Sequence, residues 1–228
     1  MGMLVAALAA FVGTHFLLSH PLRAALVSRL GALPFQGLYS IVAIATFVWI
    51  VFAFQAAPVE APLWAAGEGV WAIATVLMLF GSILFAGSLI GNPALPGPPA
   101  DTSKPARGVF AITRHPMMWG FALWALVHAL VSPQPKVIAL TVAMGFLALV
   151  GSKGQDAKKA AIMGEGWRDW SSRTSFVPFG NQLAGRSSWA VTWPGLTVVL
   201  AGIVLWLLAT YLHPTFGAPV AGIWLWMG

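Results

Sequence analysis

Runs of about 18 or more apolar residues recur along this chain, and each is long enough to cross the hydrocarbon layer of a bilayer. Hydrophobic residues make up 59% of the sequence and charged residues 8%, against roughly 25% charged in an ordinary soluble domain. A single soluble core of 228 residues cannot absorb that much apolar surface. The expected fold is therefore all-α: a polytopic membrane helical bundle of about six transmembrane helices.

Six spans are drawn, at about 3–20, 38–57, 69–90, 115–132, 136–152 and 193–213. The third and fourth are separated by GNPALPGPPADTSKPARG, whose Pro and Gly content forbids a helix. The fourth and fifth are joined by SPQP, which implies an antiparallel hairpin. Residues 153–192 form the one long polar excursion. Within it, QDAKKAAIMGEGWRDWSSR mixes charges with Ile162, Met163, Trp167 and Trp170, as expected of amphipathic helical pieces at the membrane surface. The N-terminus is apolar but lacks the positive start of a secretory signal, so it is read as a retained first span. The tail PTFGAPVAGIWLWMG is too short to span and suits an interfacial anchor, since Trp favours interfaces.

Charge sets the orientation. Arg23 and Arg29, then Lys104, Arg107 and Arg114, then Lys153, Lys158, Lys159, Arg168, Arg173 and Arg186 all fall on one side. The other side carries only Lys136, with Glu60 and Glu68. The positive-inside rule puts the basic loops in the cytoplasm and both termini on the outer side of the membrane. The net charge of +6 then reflects anionic lipid rather than nucleic acid. With no Cys, disulfides, thiolate catalysis and Cys-based metal sites are excluded.

The five histidines sort by depth. His15 and His20 lie near the basic end of the first helix, and His115 opens the fourth helix at the same end. His128 lies thirteen residues further on, roughly 20 Å away, and His213 closes the sixth helix at the far end. Two pairs can meet across helices: His15 with His115, and His128 with His213. Helix-end histidines such as His20 and His213 are as readily interfacial hydrogen-bonding residues. His128 is better read as bonded to a carbonyl of a neighbouring helix than as a ligand. Neutral imidazole binds iron through one ring nitrogen while the other donates to an acceptor. Two rings at equal depth can clamp a planar macrocycle from both faces. Phe16, Trp119, Phe121 and Trp124 can line such a pocket, and Arg23, Arg107 or Arg114 can pair with its carboxylates.

The stretch RLGALPFQGLYSIVAIATFVWIVFAF, after a first helix bearing His15, and then ITRHPMMWGFALWALVHALV, resemble the NnrU family of bacterial membrane proteins. That family includes the plant zeta-carotene isomerase branch. The resemblance covers most of the chain from the first helix through the fifth, and makes residues 1–228 a single transmembrane NnrU-like domain. It implies a link to denitrification and nitric oxide. From the isomerase branch it implies haem b held by histidines, with cis–trans isomerisation of a polyene. Carried over by residue, His115 matches the histidine of the RHP motif, His15 the first-helix histidine and His128 the later histidine of the fourth helix. His15 and His115 are thus the expected iron ligands and catalytic residues, with Arg114, Arg23 and Trp119 around the cofactor and His128 a lesser candidate. Partners would be membrane lipid and a lipophilic substrate or nitric oxide, with no nucleic acid.

A more distant resemblance is to membrane methyltransferases acting on isoprenylcysteine or phospholipid head groups, carried by RHPMMWG and GEGWRDWSSRTSFVPF. It implies S-adenosylmethionine at the cytoplasmic rim, gripped by Arg114 and His115. The chain departs from that pattern: the first Tyr is Met118, the later tyrosines are Trp167 and Trp170, and the paired glutamates are missing. In the stretch before Gly164, where those glutamates are expected, Asp156 is the only acid nearby. An enzyme, a sensor of nitric oxide and a methyltransferase all stand as readings at this point.

Overall fold

The computed structural model describes residues 1–95 and 102–227, and among these every regular element is a helix. Part of the expected non-helical connection, residues 96–101, lies outside the described residues. Ten α-helices run in order: α1 Gly2–Ser19, α2 Arg23–Leu30, α3 Ala32–Ala56, α4 Glu68–Gly87, α5 Val109–Ile112, α6 Pro116–Val131, α7 Pro135–Met163, α8 Glu165–Arg173, α9 Gly180–Leu183 and α10 Leu196–Leu212. Five of them, α1, α3, α4, α7 and α10 with its terminal turn, are long and apolar enough to cross a membrane. The chain is a multi-pass membrane protein. The expected fourth span, α6, is apolar but has only 16 residues. At helical rise that is about 24 Å, short of a hydrocarbon layer of about 30 Å.

Most of each span is unburied by protein, and the exposed residues are apolar: Ile41, Ile44, Phe47 and Phe52 on α3, Ile73 and Val76 on α4, Leu200, Val204 and Leu208 on α10. In water that surface would drive aggregation; in lipid it is matched. Packing among the helices relies on close approach. On α1, Leu4, Ala7, Leu8 and Phe11 share one face and pack against Ile50 and Ala53 of α3 and Ala143 and Leu147 of α7. Gly81 of α4 faces Gly120 of α6, where an added Cβ would stand 3.0 Å from the Gly81 carbonyl oxygen. Gly202 of α10 lies against the Ile83 backbone of α4 in the same manner. Small residues at such crossings let membrane helices approach backbone to backbone.

Helix α3 begins at Ala32 rather than near residue 38, because Pro34 is compatible with a helix's first turn. The positive φ of Gly31, 85°, makes the sharp turn from α2. The polar excursion also starts later than expected. Helix α7 continues past residue 152 to Met163, since its Ala, Lys and Gln residues are good helix formers, and Gly164 at φ 57° ends it. Trp167 and Trp170 are not at an interface: Trp167 is 1% exposed, and both pack on Ala94, Ala106, Phe110 and Met163. The apolar tail folds back on α10, with the Trp224 indole N–H donating to Thr210 Oγ1 at 3.1 Å.

The two ends differ. At one, Arg23, Ala94, Leu95, Lys158 and Lys159 come together around a cavity. At the other, Trp64 Nε1 donates to the Leu130 carbonyl at 2.9 Å and Lys136 lies over the Phe54 ring.

Gly202→Ala puts a Cβ 2.6–2.9 Å from Ile83 atoms, so thermal unfolding in detergent should show a loss of about 1–3 kcal/mol, the usual cost of overpacking. Gly145→Ala, whose Cβ meets Ala125 at 3.4 Å, should leave the midpoint unchanged or raise it.

Candidate functional site

A cavity of about 750 Å³ opens at the basic end between α1, α3, α6 and α7. Its walls are apolar and aromatic: Phe11, Phe16, Phe35, Phe121, Met118, Met144 and Leu147. Its polar side chains are His15, Ser19, His20, Gln36, Tyr39, Ser40 and Gln155, and its charged ones are Arg23, Lys158 and Lys159. No carboxylate lines it among the described residues. That charge pattern suits an anion at the mouth of an otherwise apolar chamber.

His15 reaches the cavity from the fourth turn of α1. Its Nδ1 lies 2.7 Å from the Phe11 carbonyl oxygen. A carbonyl only accepts, so Nδ1 carries the proton and Nε2 keeps its lone pair. The Tyr39 ring stands edge-on at 5.4 Å, and Phe11 lies at 4.2 Å on the other side. Five residues on, His20 fits against Gly154 of α7, where a Cβ on Gly154 would stand 2.5 Å from the His20 Nε2. Partial burial and, after it, the Lys158 ammonium push the His20 imidazole below its ordinary pKa. Arg23 stands over the Phe35 ring at 5.9 Å, while Lys159 Nζ donates to the Leu95 carbonyl at 3.3 Å.

His115 is held differently. It precedes Pro116, which opens α6, and is 2% exposed. Its Nε2 stands 2.7 Å from Asp156 Oδ1. Arg114 grips the same carboxylate from the other side, Nε and Nη2 both donating at 2.8–3.1 Å. The guanidinium lies 5.5 Å from the Phe176 ring centre, and the Arg114 backbone N–H donates to Ser175. Thr113 Oγ1 and Trp119 Nε1 both donate to the Phe176 carbonyl, at 2.7 and 2.8 Å. The α5–α6 corner is thereby fastened to residues 174–179. The other nitrogen of His115, Nδ1, is buried and has no partner. His115 lines a side recess of about 10 Å³ with Asn92, Met117, Met118 and Gln155. Ala94, Leu95, Met118 and Gln155 wall both this recess and the large cavity.

The expected residues therefore divide. His15 and Arg23 line the large cavity, as do Phe16 and Phe121. His115 sits behind the Met118–Gln155 wall in the adjoining recess. Arg114 is bound to Asp156 and does not line the cavity, so it is not free to grip a cofactor carboxylate of either kind. Trp119 packs in the α4–α5–α6 cluster, away from it. His128 and His213 do meet, ring centres 5.9 Å apart. His128 is bonded to the Trp124 carbonyl of its own helix at 2.8 Å rather than a neighbouring one, and stacks on the Trp124 ring. Sequence reading missed Lys158, Lys159 and Tyr39. The helical continuation of α7 past residue 152 was the signal, since it turns those lysines into one face of a wall.

Comparison with known proteins fits this geometry to a family. Over 79 residues the chain is 33% identical to a 15-cis-zeta-carotene isomerase, chloroplastic, of Zea mays, and over 81 residues 35% identical to the Arabidopsis thaliana protein of the same description. Each match covers 35% of this chain and 22% of the relative, so the chain spans under a quarter of the length of those curated relatives. No solved structure gives a significant match. The model of the family described as NnrU protein matches residues 3–220, nearly the whole sequence, and the chain belongs to the NnrU family.

Proposed function

We propose that this NnrU-family membrane protein binds haem b in the large cavity and uses it on a lipophilic polyene, converting a cis double bond to trans. The observation that carries the reading is the cavity itself: an imidazole Nε2 lone pair on an aromatic wall, below a mouth with three cations and, among the described residues, no carboxylate. Its volume lies within the usual range of about 300–1,000 Å³ for cofactor pockets. A hydrocarbon guest alone needs no cations, so the charged mouth argues for an anionic cofactor beside it.

The residues present suit that group. His15 Nε2 would be the first iron ligand, Arg23, Lys158 and Lys159 would hold its carboxylates, and His115 Nδ1 is the second lone pair, one wall away. Among the described residues no three His, Asp or Glu side chains form a metal cluster, so an ion here needs further ligands from outside the chain, as a macrocycle supplies. When bound, such iron offers a coordination position able to draw electron density from a double bond and weaken it. The chain's own part is to fix the tautomer and orientation of His15 through the Phe11 carbonyl, to exclude water with Phe16, Phe121 and Met144, and to admit a lipid-borne guest between apolar helix faces. The sequence match to carotene isomerases supports the polyene. Arg114, engaged with Asp156, gives the methyltransferase reading no grip on its cofactor.

In haem-replete cells the purified protein should carry a Soret band, and His15→Ala should remove it. A colourless, iron-free wild type would overturn the proposal. Conversion of a 15-cis polyene should depend on that band; nitric oxide binding without any conversion would assign the pocket to sensing instead. The double variant Arg23→Gln with Lys158→Gln should weaken haem retention at least tenfold, given about 1.5–3 kcal/mol for each hydrogen bond to a charged group, without moving the Soret maximum.

The reading also puts the basic end in the cytoplasm of a bacterial inner membrane and both termini in the periplasm. A C-terminal alkaline phosphatase fusion should be active; an inactive fusion made at normal levels would reverse the orientation.

A further inference from the structure

We infer that Asp156 is the positioning residue of the site: it fixes the His115 ring so that Nδ1, not Nε2, is the nitrogen presented to a guest, and Arg114 serves to hold that carboxylate in place. The argument is one of donors and acceptors. A carboxylate already gripped by a guanidinium is an acceptor only, so the Nε2 at 2.7 Å from Asp156 Oδ1 must carry the proton. A second proton on Nδ1 would be a buried donor with no acceptor, since Nδ1 has no partner, and an unmade buried hydrogen bond is costly. The ring is thus the Nε2–H tautomer with its Nδ1 lone pair unshared.

Rotation of the ring is blocked from several sides. The Trp167 and Phe176 rings stand 6.5 and 5.6 Å away, and the backbone N–H of His115 donates to Thr113 Oγ1 at 3.3 Å. Arg114 brings its carboxylate-bound guanidinium over Phe176, which ties Asp156 of α7 to the 174–176 segment. The recess that His115 lines, about 10 Å³, is on the order of one water molecule in size. A larger guest reaches Nδ1 only when Met118 or Gln155 gives way, and the unbranched Met side chain is suited to that. The arrangement is a carboxylate–imidazole pair aimed at an electrophile or a proton donor, the pattern by which a carboxylate makes an imidazole a stronger base. That the guest is iron or a donor on the polyene rests on the function proposed above; the tautomer and its cause do not.

The test is made on haem-free protein, so its failure is separable from failure of the haem reading. In ¹⁵N-histidine-labelled protein in nanodiscs, the His115 signals, identified by their loss in His115→Gln, should show a protonated Nε2 bearing a slowly exchanging, strongly downfield proton and an unprotonated Nδ1. Asp156→Ala should abolish the downfield proton, and Asp156→Asn, which keeps an acceptor, should retain it. A wild-type ring protonated at Nδ1 would overturn the assignment at once, whatever the variants do. A downfield Nε2 proton that persists in folded Asp156→Ala would also overturn it.

Discussion

Inside a bilayer no water is present to complete a hydrogen bond, so each polar group must find its partner within the protein. The spans meet that constraint locally. Thr46, Thr75, Ser82 and Thr210 return their hydroxyls to a carbonyl one turn back. His15 and His128 do the same with Nδ1. Against that background a few buried polar atoms are left over, Gln182 Oε1 and the indole nitrogens of Trp167, Trp170 and Trp206 among them, but two nitrogens carry an open imidazole lone pair: one of His15 on the cavity wall, and Nδ1 of His115. Both stand at the basic end.

The spans and the two-ended charge distribution were legible in the sequence because each depends on a single local property, apolar length or the position of Lys and Arg. The depth pairing of His128 with His213 was legible for the same reason, since helical rise alone predicts it. What lay beyond reach was side-chain partnership across helices. Sequence places Arg114 beside a cofactor because it lies at the basic surface, and Trp119 because it is an aromatic residue of the fourth helix. In the fold, Arg114 turns to Asp156, 42 residues away, and Trp119 to the Phe176 carbonyl. Neither partner is signalled by periodicity. Trp167 and Trp170 mislead for a related reason: a charged, Trp-bearing stretch reads as interfacial until other apolar residues, here Ala94, Ala106 and Phe110, cover it.

The charge at the cavity mouth limits what a bound guest can be. Arg23 and Lys158 belong to different helices, yet both line this mouth. Like charges held together on a partly desolvated rim are unfavourable unless an anion joins them. The aromatic floor below provides for a flat or extended apolar body. A guest that satisfies both regions is amphiphilic, with its anionic end at the basic face and its body directed inward between α1 and α6.

The length of α6 explains why such a site exists at this end and not the other. At the far end α6 and α7 are joined by a short connection, Ser132 to Gln134, and their residues interlock. From there α7 runs about 44 Å and α6 only about 24 Å, so α7 continues past the point where α6 begins. The step between them exposes one flank of α7, from Gly151 through Ile162, to a space no transmembrane helix fills. Residues 174–179 and α8 close part of it, and that closure needs an acceptor and a donor on each side: Asp156 from α7, and Arg114 with His115 from the start of α6. The remainder is the cavity. A longer α6 would fill the step and bury Lys158 and Lys159 against an apolar helix, a placement their charge does not permit. The short fourth helix, the Arg-His-Pro start and the lysines of α7 are therefore parts of one arrangement.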